Sequence, residues 1–206
     1  MNLYALFTVC RRISYEQTGV SANYAIKRDG RTLYLFFQDS DGLNDWKSNL
    51  NFPAKAYKRM GKTLWFAHRG FVKVWKEIQP MLEKDIADPY FEKIVITGYS
   101  HGAAIALLCH EYVWFHRKDL RETTEGYGFG CPRVFWGIPT KRIKRRWSNF
   151  TVIRNLNDLV THLPPAFLGY AHVSKILKIG VKGKYTPIQA HYAKNISREL
   201  QAYENK

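Results

Sequence analysis

Apolar segments with the spacing of strands and of helices alternate along the chain. Continuous apolar runs predict buried strands at 33–37 and 94–97, and a hairpin turn at Asp29-Gly30 joins the first of them to a strand at 22–27. Apolar residues at helical spacing predict helices over 70–86, 101–116 and 191–203. Because Pro80 lies inside the first of these, we expect that helix to be kinked or split in two.

Further strands are predicted at 126–130, 152–155 and 176–181. Strands that alternate with helices indicate a mostly parallel sheet with helices on both faces, so the predicted fold class is α/β. The 206 residues fit one domain, and neither a repeat nor a break in composition indicates a second.

The amino-acid composition indicates a strongly positive surface. Thirty-two Lys and Arg residues against seventeen Asp and Glu give a formal net charge of +15, which attracts nucleic acid, anionic lipid or acidic substrates.

The three cysteines, Cys10, Cys109 and Cys131, are widely spaced and odd in number, which argues against a disulfide framework and for a reducing compartment. The apolar run at 3–10 precedes Arg11-Arg12, the reverse of a secretory signal, and no run is long enough to span a membrane. We therefore expect a soluble, cytoplasmic protein.

The clearest chemical signal is Gly98-Tyr99-Ser100-His101-Gly102, which matches G-x-S-x-G between a predicted strand and a predicted helix. This context predicts a nucleophile elbow with Ser100 at its apex. The amide of His101, at the start of the helix, is placed to donate to an oxyanion. The alternative is a glycine-rich turn in which the serine is incidental.

A nucleophilic serine needs a histidine to take its proton and a carboxylate to orient that histidine, and in this fold both follow the serine in the order acid, then base. Asp158, after the strand at 152–155, is the predicted acid, although it could instead only cap a helical turn. Of the seven histidines, His191 is the preferred base because it follows the last predicted strand. His172, which precedes that strand, is the alternative and is otherwise expected to be structural.

From about residue 33 to 192 the chain resembles the class 3, or fungal-type, lipase family. Ordered matches to the motifs of that family carry the resemblance, and they lie at 37–40 with 45–50 (FQDS, DWKSNL), 68–71 (HRGF), 97–104 (TGYSHGAA), 129–134 (FGCPRV), 157–165 (NDLVTHLPP), 169–172 (GYAH) and 191–192 (HY). The chain departs from the family pattern at Gln38-Asp39, where Arg-Gly is usual, at His101, where an apolar residue is common, and at Ala103, where glycine is usual.

The resemblance implies an α/β-hydrolase fold and a lipase or carboxylesterase that needs no cofactor. It implies that Ser40 completes the oxyanion hole with His101, and that a mobile lid lies between Ser40 and Phe52. Trp46 and Leu50 of that lid would then contact the substrate, a lipid or a small ester, although ordinary packing would also explain both.

Three other functions remain open from the sequence. An acyltransferase or a phospholipase could use the same triad, and the basic run at 141–146 could belong to a polyanion-binding protein without catalysis. Nucleic acid is the less favoured partner, because a binding module offers no reason for a serine elbow, whereas an anionic membrane surface is compatible with a lipase. No metal site is predicted, since His110-Glu111 lacks the second histidine of His-Glu-x-x-His.

Overall fold

The computed structural model describes residues 2–18, 22–39, 53–59 and 62–205. Its main sheet has six strands, with only β1 antiparallel to its neighbour and the other pairs parallel. In spatial order these strands are β1 (Ala22–Asp29), β2 (Thr32–Asp39), β5 (Lys93–Tyr99), β6 (Glu125–Phe129), β8 (Phe150–Asn155) and β10 (Lys175–Ile179). The predicted mostly parallel α/β sheet is confirmed.

Helices cover both faces of this sheet. On one face lie α1 (Leu3–Arg12) and α5 (Ala193–Glu204), and on the other lie α2 (Arg69–Ala87) and α3 (His101–His116). Neighbouring strand residues therefore enter opposite cores: Leu35 packs with α2 and α3, whereas Phe36 packs with α1 and α5. Burial on both faces is the physical reason for the continuous apolar runs in the central strands.

Helix α3 is the central helix and begins directly after Ser100. Every residue from His101 to Val113 is buried, and alanines at 103, 104 and 106 face the surrounding core. A helix that is apolar all round is one enclosed by other elements. Its bounds match the predicted helix, so the placement of Ser100 at its N-terminus follows from the sequence pattern.

The expected break at Pro80 does not separate two helices, because α2 is continuous from Arg69 to Ala87. Pro80 lacks the N–H that would bond to the carbonyl of Lys76, and both residues lie on the exposed side of the helix. Water can satisfy that carbonyl, while Trp75, Ile78 and Leu82 keep the opposite side packed in the core.

A second, antiparallel sheet of four strands was not predicted. Its strands in order are β3 (Ala54–Arg59), β4 (Lys62–His68), β7 (Phe135–Trp136) and β9 (Tyr170–Ala171). Two of these strands have only two residues, too few to form a recognisable alternation. The apolar run at 3–10, which was not predicted as a helix, forms most of α1, and α4 (Lys141–Lys144) is a short helix in the basic run.

Within the ranges that the structure describes, none of the helices has both the length and the apolar character needed to cross a membrane. Cys10, Cys109 and Cys131 are buried and unpaired, and burial raises the pKa of each thiol.

Burial of His110 on α3 makes the stability of the fold sensitive to acid. Its ring lies edge-on to Phe150, with 5.5 Å between ring centroids, and burial lowers its pKa from 6.5 to about 4. As the pH falls from 6.5 towards 4, the unfolded chain binds a proton at this position that the folded chain does not.

We therefore expect the free energy of unfolding to fall by up to about 3 kcal/mol over this interval through His110 alone. Urea unfolding at pH 7.5, 6 and 5 measures the loss in the wild type and in His110→Leu. The variant should lose less stability than the wild type, and identical losses would contradict the assignment to His110.

Candidate active site

Ser100 sits on a sharp turn between β5 and α3, with a backbone conformation that side chains rarely adopt (φ 55°, ψ −122°). Its amide donates to the carbonyl of Phe129 on β6 at 2.9 Å. A Cβ at Gly98 would overlap the carbonyl of Gly102, and one at Gly102 would overlap that of Phe37 on β2. The two glycines thus allow the strand, the turn and the helix to approach closely enough to hold Ser100 in this conformation.

The turn brings Ser100 to the histidine and the aspartate that the sequence suggested. Nε2 of His191 lies 2.9 Å from Oγ of Ser100, and Nδ1 lies 3.0 and 2.9 Å from the two carboxylate oxygens of Asp158. Relative exposures of 4% for Ser100, 1% for His191 and 0% for Asp158 remove all three from bulk water. Three residues from distant parts of the chain thus form one continuous line of hydrogen bonds.

The partners of His191 determine its tautomer. A carboxylate only accepts hydrogen bonds, so Nδ1 carries the proton and donates it to Asp158. Nε2 is then left with its lone pair towards the hydroxyl of Ser100, which donates to it. This is the orientation in which an imidazole can take a proton from a serine.

Asp158 is held from its own loop after β8. Its Oδ1 accepts the amide of Val160 at 2.9 Å, and its carbonyl accepts the hydroxyl of Thr161 at 2.8 Å. Residues 160–162 form a short 3-10 turn, so the side chain of Asp158 accepts the first amide of this turn and also contacts the histidine. The two alternatives for this residue in the sequence are therefore compatible, because each uses a different lone pair of the carboxylate.

Two residues that the sequence did not single out hold His191 in place. The hydroxyl of Tyr99 donates to the carbonyl of His191 at 2.7 Å, and its ring stacks on the imidazole with 5.3 Å between centroids. Nδ2 of Asn155, the last residue of β8, donates to the carbonyl of Ala190 at 2.9 Å. The only sequence signal for them is position, since Tyr99 directly precedes Ser100 and Asn155 lies three residues before Asp158.

His172, the alternative base, contacts neither Ser100 nor Asp158. Its Nε2 lies 2.8 Å from the carbonyl of Thr161, to which it donates, and burial lowers its pKa to about 4. The structure thus places His172 against the backbone of the loop that follows Asp158.

His101 is the first residue of α3, so its amide lies at the positive end of the helix dipole and is not needed for a hydrogen bond within the helix. Its buried ring packs on Phe71, with 5.2 Å between centroids, near His68. Burial and the proximity of His101 lower the pKa of His68 to about 4. The other residues proposed for the oxyanion hole and the substrate, Ser40, Trp46 and Leu50, lie outside the described residues.

The arrangement can activate a serine for attack on a carbonyl carbon without a metal ion or an organic cofactor. In the part of the chain that the structure describes, no group of three or more His, Cys, Asp or Glu side chains could hold a metal ion.

Comparison with known proteins gives one family and one fold. The family model described as "Lipase (class 3)" matches residues 34–168. A lipase of Rhizomucor miehei is 30% identical over 167 residues, which cover 70% of this chain and 41% of that protein. A secreted mono- and diacylglycerol lipase of Fusarium solani is 27% identical over 163 residues, covering 77% and 47%. The chain thus spans less than half the length of these two relatives.

Solved structures of lipases are similar to this chain in fold. The triacylglyceride lipase of Rhizomucor miehei superposes with a TM-score of 0.70 at 26% identity, over 81% of this chain and 65% of that one. A triacylglycerol lipase whose catalytic centre is described as a serine protease triad gives a TM-score of 0.71 at 25% identity, over 82% and 66%. The fold is that of the α/β-hydrolases among which these lipases belong.

A substitution at Gly130 tests whether the position of His191 controls the reactivity of Ser100. Gly130 has a φ of +60°, and a Cβ there would lie 2.7 Å from Cε1 and 2.9 Å from Nδ1 of His191. We expect Gly130→Ala to displace the imidazole and to slow labelling of Ser100 by a fluorophosphonate about 100-fold.

Gly30→Ala is the matched control, because Gly30 also has a positive φ of +53° but no atom within 4 Å of an added Cβ. Both variants should lose about 1 kcal/mol or more of stability, but only Gly130→Ala should lose labelling. Labelling of Gly130→Ala at the wild-type rate would contradict this role of His191.

Proposed function

The chain belongs to the class 3 lipase family, and from this premise we propose that it hydrolyses the carboxylic esters of lipids, with Ser100 as nucleophile, His191 as general base and Asp158 as the acid that orients it. Acylglycerols are the proposed substrate class, because the names of the relatives describe lipases of mono-, di- and triacylglycerols. The observation that carries the proposal is the unbroken line of hydrogen bonds from Ser100 through His191 to Asp158.

In the first half of the proposed reaction, Oγ of Ser100 attacks the ester carbonyl carbon while its proton passes to Nε2 of His191. The carbonyl π electrons move to the oxygen, which becomes the oxyanion of a tetrahedral intermediate. Asp158 stabilises the imidazolium that forms. When the C–O bond to the alcohol breaks, Nε2 returns the proton to the departing oxygen, and an acyl-serine remains.

In the second half, a water molecule replaces the alcohol. His191 takes a proton from the water as its oxygen attacks the acyl carbon, and then protonates Oγ of Ser100 as the carboxylic acid leaves. The same residues therefore act twice in opposite directions, and the protein ends unchanged.

The oxyanion of both steps needs donors that point at it before the reaction begins. We propose the amide of His101, at the positive end of α3, as one donor and Ser40 as the other. Because β2 ends at Asp39, Ser40 follows directly from the strand whose Phe37 carbonyl adjoins Gly102. Trp46 and Leu50 remain the proposed contacts with the acyl chain.

Hydrolysis of nitrophenyl esters of graded chain length tests the proposal. We expect Ser100→Ala and His191→Ala to abolish turnover, and Asp158→Asn to lower kcat by about ten-thousandfold, because the amide would favour the wrong tautomer of the imidazole. Fluorophosphonate labelling of Ser100 should fall in parallel.

His116→Ala is the control, since His116 is an exposed histidine at the far end of α3. It should retain wild-type activity. An inactive His172→Ala together with an active His191→Ala would show that the base has been assigned to the wrong histidine. Transfer of the acyl group to an added alcohol in preference to water would identify an acyltransferase instead.

Exposed apolar side chains lie beside the triad, and we propose that they meet the lipid surface. Leu159 follows Asp158, while Ile188 and Tyr192 flank His191, with 42%, 47% and 37% of their surfaces exposed. The amide of Leu159 donates to the carbonyl of Pro187 at 3.1 Å, which brings the two segments together. We call these three residues the apolar rim, and the charge of +15 makes an anionic lipid surface its proposed partner.

Replacing the rim should impair action on aggregated lipid most. We expect the double variant Leu159→Ser with Ile188→Ser to lose about tenfold in activity on an emulsified long-chain ester, and much less on a soluble short-chain one. Met81→Ser, at an equally exposed position on α2, is the control. Binding of the wild type to anionic vesicles should weaken from about 0.05 to about 0.5 M salt, and equal losses on both esters or salt-independent binding would contradict the proposal.

A further inference from the structure

Cationic side chains surround the loop that carries Asp158. We call residues 158–165 the acid loop. Arg133, from the connection after β6, donates to the carbonyls of His162 and Pro164. Nη2 of Arg154 reaches the carbonyl of Thr161 at 3.4 Å, and His172 donates to the same oxygen at 2.8 Å. Three carbonyls of the loop, those of Thr161, His162 and Pro164, are thus held from three separate segments.

Arg154 is the most unusual of these cations because of where it originates. It is the last residue but one of β8, on the same face as the fully buried Phe150 and Val152, and it is only 9% exposed. Burial lowers the pKa of its guanidinium and the charge of Arg133 lowers it further, whereas the charge of Asp158 raises it. Retaining a charge in this position is costly unless nearby groups stabilise it.

Arg154 is linked to Asp158 through one backbone segment and through space. The carbonyl of Thr161 accepts from Arg154, and the hydroxyl of the same threonine donates to the carbonyl of Asp158 at 2.8 Å. Among the described residues no ion pair within 4.0 Å joins Arg154 to an acid, so its attraction to Asp158 acts at longer range. Both carboxylate oxygens of Asp158 therefore stay committed to His191 and Val160.

We propose that Arg154 is a positioning residue of the triad: it anchors the acid loop through Thr161, and its positive charge stabilises the buried carboxylate of Asp158 that orients His191. This inference rests on the proposed function. A charge that is buried away from water is costly unless nearby groups stabilise it, and Asp158 has no exposure to solvent. The cation of Arg154 is separated from Asp158 by Thr161, and it contributes to this stabilisation without competing for the carboxylate oxygens.

The dependence of Ser100 reactivity on pH separates this role from simple anchoring. The rate of labelling by a fluorophosphonate between about pH 4.5 and 8 does not depend on which ester is the substrate. In a plot of labelling rate against pH, the acid limb is the part where the rate falls as the pH is lowered, and the plateau is the constant rate above it. Removing a positive charge makes its neighbours take up protons more readily, so this acid limb should move to higher pH. An anchor without an electrostatic role would change the plateau but not the limb.

The charged and titratable groups near Arg154 and Asp158 are Arg133, Cys131, His162, His172 and His191. Burial and the charge of Asp158 raise the pKa of the Cys131 thiol, so this group titrates above the range used. His172, with a pKa of about 4, titrates below the range used. His162 is exposed, and repeating the series with His162→Gln removes it from the profile.

Two variants of Arg154 distinguish the effect of its charge from the effect of its planar guanidinium. Arg154→Met should shift the acid limb upwards by about half to one pH unit and lower the plateau about tenfold. Arg154→Lys keeps the charge but not the planar fork, so its limb should stay at the wild-type position while its plateau falls.

Arg117→Met is the matched control. Arg117 is also 9% exposed and donates to the carbonyls of Ile86, Asp88 and Phe91, but it follows the end of α3 opposite to Ser100. It should lower the thermal unfolding temperature without moving the limb.

An acid limb of Arg154→Met that coincides with the wild type would overturn the electrostatic role. If Arg154→Met does not fold, Arg154→Gln takes its place, because glutamine also removes the charge but keeps a donor for the carbonyl of Thr161, and an unmoved limb in that variant would overturn the role of the charge. Failure of the wild type to be labelled would instead overturn the proposed function, and this inference with it. A wild type that is labelled but hydrolyses none of the esters would remove the proposed substrate class alone.

Discussion

The backbone of Ser100 can hold its positive-φ conformation only because two strands and a helix meet around it without intervening side chains. Gly98 and Gly102 occupy positions where a Cβ would overlap a carbonyl of the opposing segment, and the amide of Ser100 is bonded to β6. The local strain is of the kind that a surrounding structure has to impose. The closely packed centre of the main sheet therefore serves the orientation of one hydroxyl, and the start of α3 is fixed by the same contacts.

Around that point the structure brings together three segments that are far apart in sequence. Asp158 arrives after β8 and His191 just before α5, and each is held by backbone contacts as well as by the other. Tyr99 links the elbow directly to His191 through a hydrogen bond and a stacked ring. Because the imidazole is fixed from both sides, its orientation does not depend on the hydrogen bond to Ser100 alone, which is the arrangement that a relay of protons requires.

The cations near Asp158 contribute to the electrostatics of the triad as well as to its geometry. A carboxylate without exposure to solvent has to be stabilised by its surroundings, and here the neighbours comprise an amide, an imidazole and a guanidinium. Arg133 and Arg154 also satisfy carbonyls of the acid loop, so the same side chains contribute to shape and to potential. The buried histidines His68, His110 and His172 are in contrast kept neutral by burial, which links acid sensitivity to the fold rather than to the site.

Local pattern was sufficient for the main sheet, for α2, α3 and α5 among the four helices that cover it, and for the residues of the hydrogen-bonded line. Apolar periodicity depends on residues that are close in the chain, so it predicts the strands and α3. The pattern G-x-S-x-G predicts the turn at Ser100, because only glycine fits at its two ends. Chain order and position after a strand were enough to prefer His191 over His172. Tertiary structure alone decided the rest: the two-residue strands of the second sheet, the continuity of α2 through Pro80, and the contacts of Tyr99, Asn155 and Arg154. These depend on what the folded chain places opposite each residue, and that information is not carried by the residues next to it in sequence.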